Sequence, residues 1–488
     1  MKKFTRLMLF SLASIFSIYS TAAPTILEVK TKNIQVNGKS SQVYTIEQSN
    51  GTWGYYGYKG ESFDVIVKND LNESTVIHWH GLLLPNNQDG VELTQKLIAP
   101  HSQYHYNFIL KNSGTYWMHS HAGLQEQKLA EAPLIIYDNK KENTTNDIVL
   151  MLQDFSFKDP STIMNELTHG NTSHTNSMEH SNHEMHTMDM SDHEMQMNKN
   201  DSNNSKHHMT MDLNDVKYDA YLVNYRNLHN PQINLVKPDS TVRLRFINGS
   251  AMTNYWINLG NLTGTLIAVD GSSVSPITAN KFQIGMGNRL DILVKIPKKI
   301  GYFSILAQVE GTKFQTGIIL KNNSKVKPNK INYLAKQSVP ALNYDQEFRL
   351  TPLKTNHDIP TESINQNIKL VLAGDMKSYV WTINGQIWPS VTPIRIGMNN
   401  EVQADVINNT MMSHPIHLHG FKFKVTAIDG KKVNGAIHDT ILVSPHSTVK
   451  VIFFVDSPGK WFFHCHSLYH MHRGMMAYVQ TESNLLTR

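Results

Sequence analysis

The chain has 488 residues, and with 17% charged side chains and a formal net charge of +5 its acids and bases nearly balance. So small and dispersed an excess excludes a basic nucleic-acid-binding surface and fits a well-solvated globular exterior. A single cysteine, Cys465, excludes any intrachain disulfide, although exported proteins of this size often use them.

At the N-terminus, Lys2, Lys3 and Arg6 precede a short apolar run over residues 7–19 and the small residues Ser20-Thr21-Ala22-Ala23. That order predicts a secretory signal peptide over residues 1–23, too short and wrongly flanked for a membrane span. No twin arginine is present, so the general export route to the periplasm is expected. No later stretch reaches about 18 uninterrupted apolar residues, and the mature chain is expected to be a soluble monomer.

The remaining residues, roughly 465, suggest about three domains of about 150 residues each. Short apolar or alternating runs such as Phe63-Asp64-Val65-Ile66-Val67, Val242-Arg243-Leu244-Arg245-Phe246 and Val449-Lys450-Val451-Ile452-Phe453-Phe454 read as strands. Asn248-Gly249-Ser250 and Ser457-Pro458-Gly459 mark turns between them, so the fold class predicted is all-β. Three blocks emerge: residues 24–145 and 340–488, which hold histidine-rich strand motifs, and residues 146–335, which do not. Inside the middle block, residues 164–211 turn polar and dense in Met and His. Such a segment buries too little apolar surface to fold alone and is expected to be a disordered insertion.

At this histidine content about one His-x-His pair arises by chance, yet the chain has five: His78/His80, His119/His121, His417/His419, His464/His466 and His470/His472. A strand points alternate side chains to one face, so each pair on a strand presents two imidazoles side by side. In Phe462-Phe463-His464-Cys465-His466 the two histidines share a face and Cys465 takes the other. A metal on Cys465 would then be joined to metals on its neighbours by a few covalent bonds. His414 stands ahead of the 417/419 pair, and His470 and Met475 follow Cys465. Two imidazoles, a thiolate and a weak axial thioether make up a blue-copper ligand set. Zinc accepts Cys and His too, but it has no second oxidation state.

His78-Trp79-His80-Gly81, Trp117-Met118-His119-Ser120-His121, His414-Pro415-Ile416-His417-Leu418-His419-Gly420 and His464-Cys465-His466-Ser467-Leu468-Tyr469-His470, followed by Gly474-Met475, resemble the four copper signatures of multicopper oxidases. The resemblance implies three cupredoxin-like Greek-key β-sandwich domains and four copper ions. It implies that His414, Cys465, His470 and Met475 hold a mononuclear blue copper and that His78 and His417 hold the lone copper of a trinuclear cluster. His80, His119, His121, His419, His464 and His466 would hold that cluster's coupled pair. O2 is the implied acceptor, reduced to water by four electrons that a reductant supplies singly. Asp89 matches the position of a family acid that relays protons, although Asn86-Asn87-Gln88-Asp89-Gly90 also reads as a turn.

Residues 164–211 hold nine Met and eight His, and His183-Glu184-Met185 recurs as His193-Glu194-Met195. Thioethers favour Cu(I), and imidazole accepts either copper state. With Thr410-Met411-Met412-Ser413 ahead of His414, the tract is most similar to bacterial copper-resistance oxidases that act on Cu(I). Met412, His183, Met185, Met188, Met190, His193 and Met195 are the candidate substrate-copper residues. Two positions depart from the pattern: Met471 where many members carry Glu, and Thr410 where some carry Asp. The donor expected is Cu(I), in copper tolerance. A laccase-like oxidase of phenols or Mn(II), and a periplasmic copper-sequestering protein, are the alternatives.

Overall fold

A computed structural model describes residues 23–141, 146–169, 213–353 and 364–482. The signal-peptide segment and residues 170–211 of the Met/His tract, including His183, Met185, Met188, Met190, His193 and Met195, lie outside the described residues.

Six sheets follow the chain in three pairs. Two four-stranded sheets take the strands between Thr25 and Tyr137, a six- and a five-stranded sheet those between Ala220, Asn146 and Lys321, and a seven- and a five-stranded sheet those between Gln366 and Glu482. The all-β expectation is met. The three units also repeat one another in a way the sequence does not advertise. In each, the opening strand runs parallel to a later one: Thr25–Val36 to Ser62–Asn69, Asn146–Phe155 to Thr241–Asn248, and Gln366–Asp375 to Glu401–Asn408. In each, a short strand also runs parallel to the last: Tyr55–Tyr58 to Glu131–Tyr137, Ile233–Leu235 to Gln315–Lys321, and Ile394–Gly397 to Met476–Glu482. Parallel neighbours require crossover connections, so each unit closes as two packed layers and not as a simple meander.

The alternating runs behave as their period demands. Phe63, Val65 and Val67 of Ser62–Asn69 point inward and are fully buried, as are Val449, Val451 and Phe453 of Thr448–Phe454. Strand Glu131–Tyr137 is instead buried at every residue. Both its faces are covered, which is why its sequence lacks alternation. One continuous apolar core joins the first and third units, drawing on Trp79, Tyr106 and Ile136 from one and Ile416, Phe463 and Val479 from the other. The middle unit has its own core around Leu244, Leu266 and Ile292.

One boundary is corrected. Residues 164–169, taken from sequence as the start of the tract, complete the helix Pro160–His169. Ile163 is buried, and Met164 and Leu167 pack against the shared core. The i, i+1, i+4 spacing of these three residues gives a helix one apolar stripe, which the surrounding polar composition hides.

Buried ions lock the units together. Arg289 of the middle unit donates two 2.6 Å hydrogen bonds to Asp439 of the third and one of 3.1 Å to the carbonyl of Thr115 in the first. Lys422 also donates to Asp439. Burial alone would raise the Asp439 carboxyl, but Arg289 and Lys422 override it and hold it well below the usual carboxylate range. Next to it, His438 lies between Asp270 at 2.7 Å and Glu347 at 3.3 Å. Burial opposes charge there, yet Glu347 and Asp270 outweigh it and push the imidazole up to about 10. Such pairs are expensive to bury, and removing one partner leaves a charge stranded at a cost of about 3–5 kcal/mol. Arg289→Ala is therefore expected to destabilise the protein by about that amount. A chemical-denaturation midpoint equal to that of the unaltered chain would show that the network does not hold the units together.

Candidate metal centre

Strand pairing assembles the first half of the site. Strand Ile77–His80 pairs antiparallel with Gly114–Ser120 in a register that sets His78 opposite His119. In the third unit, His414–Leu418 pairs with Gly459–Cys465 so that His417 faces His464 and Ile416 faces Cys465. The two units then meet at these strands. The rings of His78 and His419 lie 3.9 Å apart, those of His80 and His417 3.8 Å, those of His119 and His466 5.1 Å, and those of His121 and His464 5.3 Å. All eight side chains are buried.

The outer nitrogens of six of these rings are tied to the protein. Nδ1 of His78 donates to the carbonyl of Asp89 at 2.9 Å, Nδ1 of His417 to that of Asp439 at 2.7 Å, and Nδ1 of His464 to that of Cys465 at 2.9 Å. Nδ1 of His419 meets Asp89 Oδ2 at 3.0 Å and Nδ1 of His119 meets Glu126 Oε2 at 2.9 Å. Nε2 of His80 lies 3.0 Å from Thr440 Oγ1 and 3.2 Å from Asp439 Oδ1. The inner nitrogens converge. Nε2 of His78 and His417 are 3.4 Å apart, and Nε2 of His419 and His464 are 2.9 Å apart. Nδ1 of His80 and Nε2 of His119, His121 and His466 are buried with no hydrogen-bond partner. Buried ring nitrogens without partners are rare in native structures and signal a missing ion.

Burial, reinforced for most by the neighbouring imidazoles, pulls His119, His121, His417, His419 and His466 well below the usual histidine range. In His80 burial prevails over the pull of Asp439, and His464 falls to about 4. Neutral imidazole is the form that binds metal. Groups His78/His417/His419, His78/His80/His119 and His121/His419/His464 each bring their donor atoms within 4.8 Å of one another.

A second cluster sits on the other face of the strand. Cys465 Sγ lies 3.6 Å from Nδ1 of His414 and 4.0 Å from Nδ1 of His470, with the two imidazole nitrogens 3.2 Å apart. Met475 is fully buried, and its backbone is pinned by bonds to Cys465 and His470 at 3.0 Å. The alternation of the strand thus puts Cys465 in one cluster and His464 and His466 in the other.

Asp89 caps the short 3-10 turn Asn86–Gln88 and is buried. It is both turn residue and site residue, touching His78 from its own unit and His419 from the third. Met412, a candidate substrate-copper residue, is 4% exposed and packs in the core. Its neighbour Met411 faces solvent instead. His472, from the fifth pair, points outward.

Asp439, Glu126 and Asp215 escaped the motif search, which offered Thr410 only as a departure from the family pattern. Asp439 and Glu126 orient His80 and His119. Burial first, then Glu131 and Asp154, raises Glu126 well above the usual carboxylate range. Thr410 Oγ1 lies 2.7 Å from Nε2 of His414, so a hydroxyl occupies the place where the resemblance offers a carboxylate. Asp215 of the middle unit, its side chain fully buried, holds Nε2 of His470 at 2.8 Å and accepts from the Tyr379 hydroxyl at 2.6 Å. No local motif marks Asp439 or Asp215, because the histidines they contact lie 359 and 255 positions away.

Multicopper oxidase family models match residues 28–141, 146–326 and 361–484. The chain belongs to the multicopper oxidase family. It is 30% identical over 426 residues to the multicopper oxidase MmcO of Mycobacterium tuberculosis, covering 85% of this chain and 78% of that one. It is 27% identical over 536 residues to copper resistance protein A of Escherichia coli, covering 87% of each. In fold it is similar to Fet3p, a multicopper oxidase that functions in iron import, with a TM-score of 0.73, 20% identity and 94% and 90% of the two chains covered. The cofactor is copper, and the two clusters fit it. One offers thiolate, imidazole and thioether, and the other offers imidazoles whose inward nitrogens lack partners. Membership makes this multicopper oxidase an O2-dependent oxidoreductase with a reductant as second substrate. Among the described residues no helix is long and apolar enough to cross a membrane.

Burial lowers the proton affinity of His470, but Asp215 and Cys465 outweigh it and push the imidazole up to about 9. In copper-free Asp215→Asn protein, the His470 titration is expected to move down from about 9. NMR titration of the ring protons reads it, and an unchanged midpoint would show that Asp215 does not control this imidazole.

Proposed function

We propose that this oxidase takes electrons from Cu(I) and delivers them to O2, in copper tolerance. His414, Cys465, His470 and Met475 hold the mononuclear blue copper. His78 and His417 hold the lone copper of the trinuclear cluster. His80, His119 and His466 hold one copper of the coupled pair, and His121, His419 and His464 hold the other. Held by these residues, four coppers would supply the single-electron storage and the four electrons that O2 needs to become water. Cys465 connects the centres, because its backbone continues directly into His464 and His466. Asp89, touching His78 and His419 with Oδ1 otherwise unpartnered, carries protons inward.

One observation carries the choice of donor. The described residues that flank the Met/His tract lie beside the site. On one side the helix Pro160–His169 packs on the core and next to the turn that carries Glu126. On the other the carboxylate of Asp215 touches His470. Thioethers and imidazoles tethered there favour Cu(I) over a phenol. Copper resistance protein A homologues from Pseudomonas syringae and Escherichia coli, 26% and 27% identical, point the same way. The basic and apolar start of the chain supports export to the periplasm.

Two measurements test the reading. Cys465→Ser is expected to lose the intense blue absorption and the oxidase activity together, and a variant that keeps both would refute the ligand assignment. O2 consumption with Cu(I), phenols and Mn(II) is then compared between the full chain and a 164–211 deletion. The deletion is expected to lose Cu(I) turnover while keeping or gaining phenol turnover. Unchanged Cu(I) kinetics would make the tract a bystander, and copper uptake without O2 consumption would make the protein a copper store.

A further inference from the structure

Three segments of the middle unit, far apart in sequence, converge at one end of its sandwich. Strand Ile233–Leu235 pairs with Gln315–Lys321 so that Leu235 faces Lys321, and Lys321 in turn faces Tyr302. The backbone N–H of Val236 donates to the carbonyl of Lys321 at 2.9 Å, and that of Asp239 to the carbonyl of Ile296 at 3.1 Å. Buried Asn322 donates from Nδ2 to the carbonyls of Pro297 and Lys299, both at 2.9 Å, and accepts at Oδ1 from the N–H of Gly301. These bonds fix residues 235–239, 295–301 and 321–325 side by side. Together the segments carry six lysines, Lys237, Lys295, Lys298, Lys299, Lys321 and Lys325, against one acid, Asp239. That local excess of five equals the net charge of the whole chain. All six lysines are exposed except the half-buried Lys321. Asp239 is shared between two of them, 3.0 Å from Lys295 and 3.4 Å from Lys298. Set among the charges are the two most exposed large apolar side chains of the described residues, Leu235 at 62% and Ile300 at 61%.

We propose that this end of the middle unit is a docking surface for an anionic phospholipid bilayer. Lysine ammonium groups are compact, strongly hydrated point charges, suited to a diffuse layer of headgroup phosphates. Each one near such a surface strengthens binding about five-fold. Leu235 and Ile300 stand among the charges, placed to enter the boundary between headgroups and acyl chains. A soluble polyanion offers those two side chains nothing. Strand Ile233–Leu235 is a sheet edge, but the lysines around it repel a second copy of this chain from that edge. The surface also lies away from the copper ligands. Strand Arg289–Lys295 spans the gap, with Arg289 bonded to Asp439 behind His80 at one end and Lys295 in the basic cluster at the other. Along a strand those two residues stand about 20 Å apart. A protein seated on a bilayer by this end keeps the junction of its first and third units away from the lipid. The docking does not depend on which reductant feeds the enzyme.

The test uses the copper-loaded chain from Pro24 onward, because residues 1–23 could bind lipid by themselves; every described strand lies within it. Co-sedimentation is measured with vesicles of phosphatidylcholine alone and of phosphatidylcholine mixed equally with phosphatidylglycerol. Binding is expected to the mixed vesicles only, and to fall steeply as salt is raised. Lys299→Glu with Lys325→Glu, which leaves both Asp239 pairs intact, is expected to weaken it by more than about tenfold. Leu235→Ser with Ile300→Ser is expected to weaken it several-fold while its salt dependence stays the same. Lys431→Glu with Lys432→Glu, on an exposed strand of the third unit, is expected to change nothing. Circular dichroism equal to that of the unaltered chain shows each variant folded. Absent binding, equal binding to both vesicle types, or full binding after reversal of Lys299 and Lys325 would overturn the proposal. So would full binding by the Leu235 and Ile300 variant, which would make the surface one for soluble polyanions. Self-association in sedimentation velocity without vesicle binding would overturn it too, in favour of an interface between copies.

Discussion

A buried ring nitrogen with no hydrogen-bond partner costs about 1–3 kcal/mol, and this protein packs several of them into one space. His80, His119, His121 and His466 all turn such an atom inward. His80 and His119 cannot turn away, for their outer nitrogens are fastened to Thr440, Asp439 and Glu126. The arrangement is unfavourable in the bare chain and favourable once a metal accepts the lone pairs, so copper binding becomes part of the stability of the fold. It also explains why the first and third units share a continuous core. Neither owns a complete set of donors, and only a rigid junction keeps imidazoles from both within coordination reach.

Among the described residues the middle unit supplies no ligand to either centre, yet it governs both from behind. Arg289 grips Asp439, and Asp439 in turn sets which nitrogen His80 presents. Asp215 does the same for His470. Second partners of this kind fix ring orientation and tautomer and are worth as much to a metal site as many direct ligands. The two imidazoles of the thiolate cluster are also treated differently, His470 by a carboxylate from the middle unit and His414 by the hydroxyl of Thr410. One face of that cluster therefore meets the carboxyl group of Asp215. The other is neutral and next to the Met411 loop.

Much of this was legible in the sequence. The alternation in Phe462-Phe463-His464-Cys465-His466 follows from the two-residue period of a strand, so the separation of Cys465 from its flanking histidines needed no coordinates. The all-β class and the histidine candidates followed from similar local rules. The helix Pro160–His169 was missed because its apolar stripe is short and leads into a polar, Met- and His-rich stretch. That Met412 is buried and Met411 exposed was not legible either, because nothing local distinguishes the two. Which of two adjacent methionines enters the core depends on tertiary packing, in which Asn408 Nδ2 donates to the carbonyl of Met412.

The sequence by itself determined which side chains can share a face, because strand period and ligand chemistry are local properties. Only the tertiary structure decided which faces meet, which nitrogen each imidazole turns inward, and which carboxylates stand behind them. Those outcomes depend on contacts such as Asp439 with His80, Asp215 with His470 and Arg289 with Asp439. Each joins residues far apart in the chain, and burial gives each its strength. Neither distance nor burial is written in a local pattern.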